Sequence, residues 1–248
     1  MGNVQSIERS LAILRYLAGT GAGVSQIAGA VGLPKSTVSR LLATLHDNGA
    51  VTVSAGRYTI GPLIGQLAAG TGRHGELVAL ARPYLAGLVD AFGEDAGVSV
   101  LDAGDVLYLD QLGSDAAVHL RDWTGERVPP HCVSSGLVLL AHASPEAREG
   151  ALDGPLPRLT AKTTVAPSRL RRRLAAVARR DSEWVYGEFA DDINSVAAPV
   201  FDSEGDVVAA LHVHGPSYRF PGDRDPGQVA AGVAAAAQQM SSRLRPTS

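Results

Sequence analysis

The sequence predicts a two-domain chain: a small, mainly helical head that ends in a β-hairpin, then a larger α+β body built on an antiparallel sheet. Three observations predict it. Small, glycine and β-branched residues recur at fixed spacing in Ala28, Gly32 and Val38. Two short alternating runs follow the third helical segment directly, at residues 51–53 and 58–60. Beyond Phe92 the apolar period changes from helical to alternating, and strand pairs then segregate from helices.

The head begins with a helix to about Ala18. Ser6 is its expected N-cap, and Ile7, Leu11, Leu14 and Leu17 form one inward stripe. Gly19, Gly21 and Gly23 make a turn; no strand precedes them, so they are no phosphate cradle. Ser25 is the expected cap of a short second helix with Ile27, Ala28 and Val31 inward. Gly32 ends it in a left-handed conformation, and Pro34 opens the next helix. In that third helix Val38, Leu41, Leu42 and Leu45 face inward, to about Asn48.

Ala28 lets two helices cross closely, Gly32 permits the tight turn, and Val38 fills the angle between them. That is a helix-turn-helix constellation, and the hairpin after it is a wing. The opposite face carries Lys35, Ser36, Thr37, Ser39, Arg40 and Thr44, with Ser25 at the start of the second helix and Arg57 near the wing tip. Short hydroxyls and cations near a helix N-terminus suit phosphates and base edges of double-stranded DNA. Charge agrees. Residues 1–61 hold Arg9, Arg15, Lys35, Arg40 and Arg57 against Glu8 and Asp47, five cations less two anions, or +3. The whole chain carries −3, so the remainder carries −6. A basic head on an acidic body directs only the head to DNA.

Residues 62–74 read as a linker helix and hinge, and 75–248 as the body. A helix from Leu77 to Phe92 has Leu80, Tyr84, Leu85 and Leu88 inward. Strands are expected at 98–102, 106–109, 118–121, 196–201 and 207–213, with helices at 134–143, 168–180 and 226–244. Arg169, Arg171, Arg172, Arg173, Arg179 and Arg180 crowd one of these helices. Its apolar partners form an ordinary buried stripe, so the arginines are read as a solvated face.

The sole cysteine, Cys132, excludes an internal disulfide and a cysteine-based zinc site, and points to the reducing cytoplasm. There is no long apolar run and no basic-then-apolar leader, so neither a membrane span nor a secretory signal is expected. Cys132 beside His131 is a poor nucleophile–base pair, because chain neighbours rarely aim at each other. No catalytic role and no cofactor is expected. Two alternatives stay open: a metal-responsive regulator using His212 and His214 with Asp191 or Asp192, and a DNA-binding protein that needs no ligand.

Four stretches together resemble the IclR family of bacterial regulators: VQSIERSLAILRYLA, LPKSTVSRLLATLHDNGAV, GERVPPHCVSSGLVLLA and NSVAAPVFDSEGDVVAALHVHGP. The resemblance covers about residues 4–243. It implies a winged helix-turn-helix, a linker helix and a GAF-like effector-binding domain. It also implies homodimers, often paired into homotetramers, on partly palindromic operators, and small carboxylate effectors, aromatic acids included. The effector lining it implies is Leu120 and Trp123, then Val133, Ser134, Ser135 and Gly136 at a helix start, then Ile193, Ser195, His212 and His214. The residue chemistry agrees, since a helix N-terminus suits a carboxylate and residues two apart on a strand share a face. The chain departs from the family pattern at Leu137, where a lysine is usual, at Asp192, where a glycine is usual, and at His212 and His214, which replace small or apolar residues. The expected function is a transcriptional repressor whose operator affinity a small organic acid modulates.

Overall fold

The computed structural model describes residues 4–18, 21–69, 72–115 and 120–244. The chain falls into two compact units, Met1–Ala68 and Ala69–Ser248.

The first unit packs three helices: α1 (Gln5–Leu17), α2 (Val24–Val31) and α3 (Lys35–Asp47). Ile13, Leu17, Ile27, Ala28, Val38, Leu42 and Val51 form its buried core. Gly32 ends α2 at φ 66°, as the turn requires. Two caps differ from expectation. Val4, in extended conformation, precedes α1, so Ser6 lies inside the helix. Gly23 precedes α2, and its N–H donates to Gln26 Oε1 at 3.0 Å, which leaves Ser25 in the first turn. The α1 stripe also differs. Ile13 and Leu17 bury, whereas Val4, Ile7 and Leu11 are 59, 58 and 49% exposed. Strands β1 (Val51–Ser54) and β2 (Arg57–Ile60) pair across a tight turn with φ 47° at Ala55 and 74° at Gly56. Two successive positive φ values match the twist of a hairpin. Ala22 bridges to Tyr58, which fastens the hairpin to the segment before α2. Helix α4 (Pro62–Ala69) follows.

The second unit opens with α5 (Gly72–Phe92) and centres on a six-stranded antiparallel sheet. Its strands are β3 (Asp95–Asp102), β4 (Asp105–Leu112), β5 (Arg127–Val128), β6 (Glu183–Tyr186), β7 (Ile193–Phe201) and β8 (Val207–Pro216), in spatial order β5-β4-β3-β8-β7-β6. The remaining helices are α6 (Ser134–His142), α7 (Pro145–Asp153), α8 (Pro167–Val177) and α9 (Pro226–Leu244). Alternation sorts the side chains into two cores. Val98, Leu107, Leu109, Val196, Leu211 and Val213 point to α5 and α9. Val106, Tyr108, Ala197 and Ala210 point to the face covered by α6 and α8. Burial of this apolar surface is the main driving force for the sandwich.

Of the strand expected at 118–121, Val118 and His119 lie outside the described residues, and Leu120 and Arg121 are not strand. The short β5 takes the sheet edge beside β4 instead. The arginine-rich α8 is only partly a solvated face. Arg173 is half-buried and holds Glu183 at 2.8 Å, Glu188 at 2.6 Å and the Trp184 carbonyl at 3.0 Å. Arg171 pairs with Glu149 at 2.7 Å. Among the described residues no helix is long and apolar enough to cross a membrane.

Candidate functional site

In the first unit, α3 presents Lys35, Ser36, Ser39, Arg40 and Thr44 to solvent, with Thr37 half-buried. Core residues Val38 and Leu42 fix the helix from behind, so the polar face is held rigid. The Thr44 hydroxyl donates to the Arg40 carbonyl at 3.2 Å, which leaves its oxygen as an acceptor. Ser25 is exposed on α2. Arg57 differs from a free wing-tip cation: its guanidinium donates to the Gly21 carbonyl. It ties the wing back to the chain ahead of α2 while remaining exposed.

In the second unit, a narrow cleft opens between the sheet and the start of α6. Seven expected residues line it: Trp123, Val133, Ser134, Ile193, Ser195, His212 and His214. The strand period puts both histidines on one face of β8, alternating with Leu211 and Val213, which face the other core. Three expected residues lie elsewhere. Leu120 borders a surface groove with Gln111 and Asp122. Ser135 is buried beside Tyr108. Gly136 packs on the 3-10 turn Pro130–Cys132, where any side chain would strike the Pro130 carbonyl. Three lining residues were not foreseen: Tyr108, Val185 and Phe189.

Aromatic rings dominate the walls. Tyr108 meets His212 edge-on at 5.0 Å, and Trp123 meets Phe189 edge-on at 5.1 Å. The exposed Arg121 guanidinium stacks over Trp123 at 3.9 Å. Ser134 Oγ donates to Ser195 Oγ at 2.9 Å. His212 and His214 stack at 5.5 Å, and all four of their ring nitrogens lack a hydrogen-bond partner. Burial of polar nitrogens without partners is costly, which marks them as poised for a ligand or water. Desolvation holds His212 well below the ordinary value of 6.5, with His214 adding to it. Desolvation takes His214 down to about 4, opposed by the Asp95 and Asp122 carboxylates. Both rings are therefore neutral near pH 7, each offering one donor and one acceptor. About 20 Å3 of the cleft lies far enough from every atom to hold the centre of a water, which is room for one water. A ring-sized ligand has to displace a wall, and Trp123 with Phe189 is the part of the wall that belongs neither to the sheet nor to the start of α6.

Other chemistry is weaker. The Cys132 thiol donates to the Pro129 carbonyl at 3.1 Å, and burial pushes it up to about 12, far from a thiolate. His131 Nε2 bonds the Pro157 carbonyl instead of the thiol. Among the described residues no three His, Cys, Asp or Glu side chains converge as a metal site needs.

The profile described as "Bacterial transcriptional regulator IclR C-terminal" matches residues 71–242, and the "IclR helix-turn-helix domain" matches residues 6–54. The chain belongs to the IclR family. Among its IclR relatives, the regulator Rv1719 of Mycobacterium tuberculosis is 32% identical over 89% of this chain and 86% of its own length. The transcriptional repressor IclR of Escherichia coli is 29% identical over 90% and 84%. An IclR homolog from Microbacterium hydrocarbonoxydans, solved in complex with 4-hydroxybenzoate, superposes with a TM-score of 0.70 at 29% identity, covering 96% of this chain and 98% of that one. The IclR relatives are named transcriptional regulators, not enzymes, and this chain is a DNA-binding regulator of that kind.

Proposed function

We propose that this IclR-family regulator is a cytoplasmic repressor whose operator affinity changes when a small organic acid, aromatic in kind, enters the cleft between β8 and α6. Residues 1–61 are the DNA-binding domain, 62–74 the linker and 75–248 the effector-binding domain. Lys35, Ser36, Thr37, Ser39, Arg40, Thr44, Ser25 and Arg57 contact the operator.

One observation carries the ligand reading: four unpartnered imidazole nitrogens at the floor of a cleft walled mainly by aromatic and aliphatic groups, with the Ser134 and Ser195 hydroxyls paired to each other. A ring enters between Trp123, Phe189 and Tyr108 once the Trp123–Phe189 part of the wall moves aside. An acid group fits the opening of α6, where the first N–H groups have no helical acceptor. The family neighbour that carries 4-hydroxybenzoate supports the same class of ligand. A single recognition helix reads only a few base pairs, so the reading requires two or more heads on a partly palindromic site, as a homodimer or homotetramer.

The test is a thermal-shift screen of aromatic carboxylates, repeated as a DNA-binding titration with each hit. The expected result is a ligand that raises Tm and changes operator affinity by a coupling of about 1–3 kcal/mol, reciprocal between ligand and DNA. Ligand binding with no change in operator affinity refutes the regulatory half of the proposal.

A further inference from the structure

Among the described residues that line the cleft there is no lysine or arginine. Arg121, outside that lining, is exposed and stacked on the Trp123 ring. An acid entering as its anion would therefore be buried against partial charges alone, which is unfavourable. Among the described residues that line it, the one pair of groups able to become cationic is His212 and His214, two apart on β8, stacked, buried and without partners on any nitrogen. We propose that the effector binds as an anion together with one proton, and that His214 is the residue that takes the proton up.

The neighbours of the two rings decide which one it is. His212 is paired across the sheet with Gly97 on β3 and Ala197 on β7, and Tyr108 of β4 meets its edge. None of these is charged at neutral pH, and burial pushes the Tyr108 hydroxyl further from ionising. His214 is paired with Asp95 on β3 and Ser195 on β7. Asp95 is buried and accepts the Ser114 N–H at 2.8 Å. Asp122, on the segment after β4, adds a second carboxylate that favours the charged ring. Beside Asp95, Glu94 is bonded to Arg219 at 2.7 and 2.9 Å. From α6 the facing group is the neutral Ser134, and Cys132 before it stays a thiol. Carboxylates thus surround His214 and not His212. The two carboxylates alone do not hold a proton on His214 at neutral pH, since burial outweighs them. An anion added at the same ring tips that balance. The proton comes from solvent, and the product is a neutral pair, imidazolium and carboxylate, in place of a lone buried charge.

This inference rests on the organic-acid reading of the cleft and names its ionic form. Proton uptake makes binding tighten as pH falls, by up to about tenfold per pH unit, until the bound-state histidine is protonated in free protein too. The experiment is calorimetry of the full-length protein with 4-hydroxybenzoate as the probe. Titrations at about pH 6 and about pH 8, each in two buffers of different ionisation heat, count the protons taken up. The expected result is close to one proton per ligand at the lower pH. His214→Gln should bind with no proton uptake and no pH slope, whereas His212→Gln should bind more weakly and keep both. Binding by the wild type without proton uptake overturns the inference and leaves the organic-acid reading intact. Uptake that persists in His214→Gln also overturns it. No binding of 4-hydroxybenzoate or benzoate at either pH overturns the inference and the organic-acid reading together.

Discussion

His212 stands directly across from Gly97 on the neighbouring strand, and its ring fills the space where a side chain at that position would project. A Cβ placed on Gly97 would lie 2.6 Å from His212 Nε2 and 2.9 Å from the Asp110 carbonyl. The carbonyl belongs to the ladder and cannot move freely, so the imidazole has to give way. Gly97→Ala should cost about 1–3 kcal/mol, as overpacking in a tight core does. It should also weaken ligand binding, because the displaced ring no longer faces the cleft. Thermal unfolding and ligand titration of that variant measure the two effects separately. Unchanged Tm and unchanged affinity would show that the ring is not held there.

The exposed apolar face of α1 makes a different prediction. Val4, Ile7 and Leu11 follow helical spacing, yet each is about half exposed in a single chain. Such a row on a helix is a common mark of a surface covered by a partner. Leu11→Glu should shift the protein toward monomers in light scattering and weaken operator binding through lost pairing, with little loss of head stability. A variant that stays at the wild-type mass would assign the assembly to another surface.

The same helix shows what the sequence could and could not tell. Ile7, Leu11, Leu14 and Leu17 have a core stripe's period, but so does a stripe meant for a partner chain, and periodicity cannot separate the two. Ile13 and Leu17, one turn apart, are the residues that pack inward. Ala28, Gly32 and Val38 were legible because each has a local steric reason. The histidines of β8 were legible as a same-face pair from their spacing. Tyr108 sits between Leu107 and Leu109, so its face of β4 was readable, but not which distant segment it would meet. Val185 lies in a four-residue edge strand and Phe189 in the loop after it, and neither has a periodic signal. Gly136 carries a helix-start pattern, yet its lack of a side chain serves packing on Pro130. Contacts between segments far apart in the chain decide such cases.

Arg40 and Arg57 should separate in function. Arg40 is exposed on α3, whereas Arg57 is tethered to the Gly21 carbonyl. Arg40→Ala should weaken operator binding by about 1–3 kcal/mol and relax preference at one base position. Arg57→Ala should loosen the wing and weaken binding to all sequences alike, with a shallower salt slope. Binding titrations at several salt concentrations, on operator and random DNA, resolve the two patterns. Normal affinity and preference in Arg40→Ala would remove it from the interface.

Arg173 joins α8 to β6 and the loop beyond it through two carboxylates that are each only 10% exposed. Removing the guanidinium leaves both without their main partner. Arg173→Ala should therefore destabilise the second unit by about 3–5 kcal/mol, as loss of one member of a buried ion pair does. Arg173→Lys should recover only part of this, because a lysine cannot hold Glu183, Glu188 and the Trp184 carbonyl at once. Denaturant midpoints measure it; equal midpoints for Arg173→Ala and wild type would make the cluster a surface decoration.

Acid should unfold this protein partly through its buried histidines. Desolvation lowers the pKa of His131, His142, His212 and His214 below the ordinary 6.5. In the unfolded chain these rings bind a proton as pH falls through about 6.5, while in the folded chain His214 does so only near 4. Between those limits the unfolded state binds more protons, so stability rises with pH across the window and is lost as pH falls through it. One pKa unit corresponds to about 1.4 kcal/mol, so His214 alone contributes a loss of about 3 kcal/mol from the top of the window to the bottom. Urea midpoints measured from neutral pH down to about 4 should fall steadily for the wild type. His214→Gln removes the titrating ring and keeps a polar side chain, so its midpoint should fall less over the same range. The other three rings still titrate, which leaves a residual slope. If the two curves run parallel, His214 takes up its proton equally in both states and is not desolvated in the folded protein.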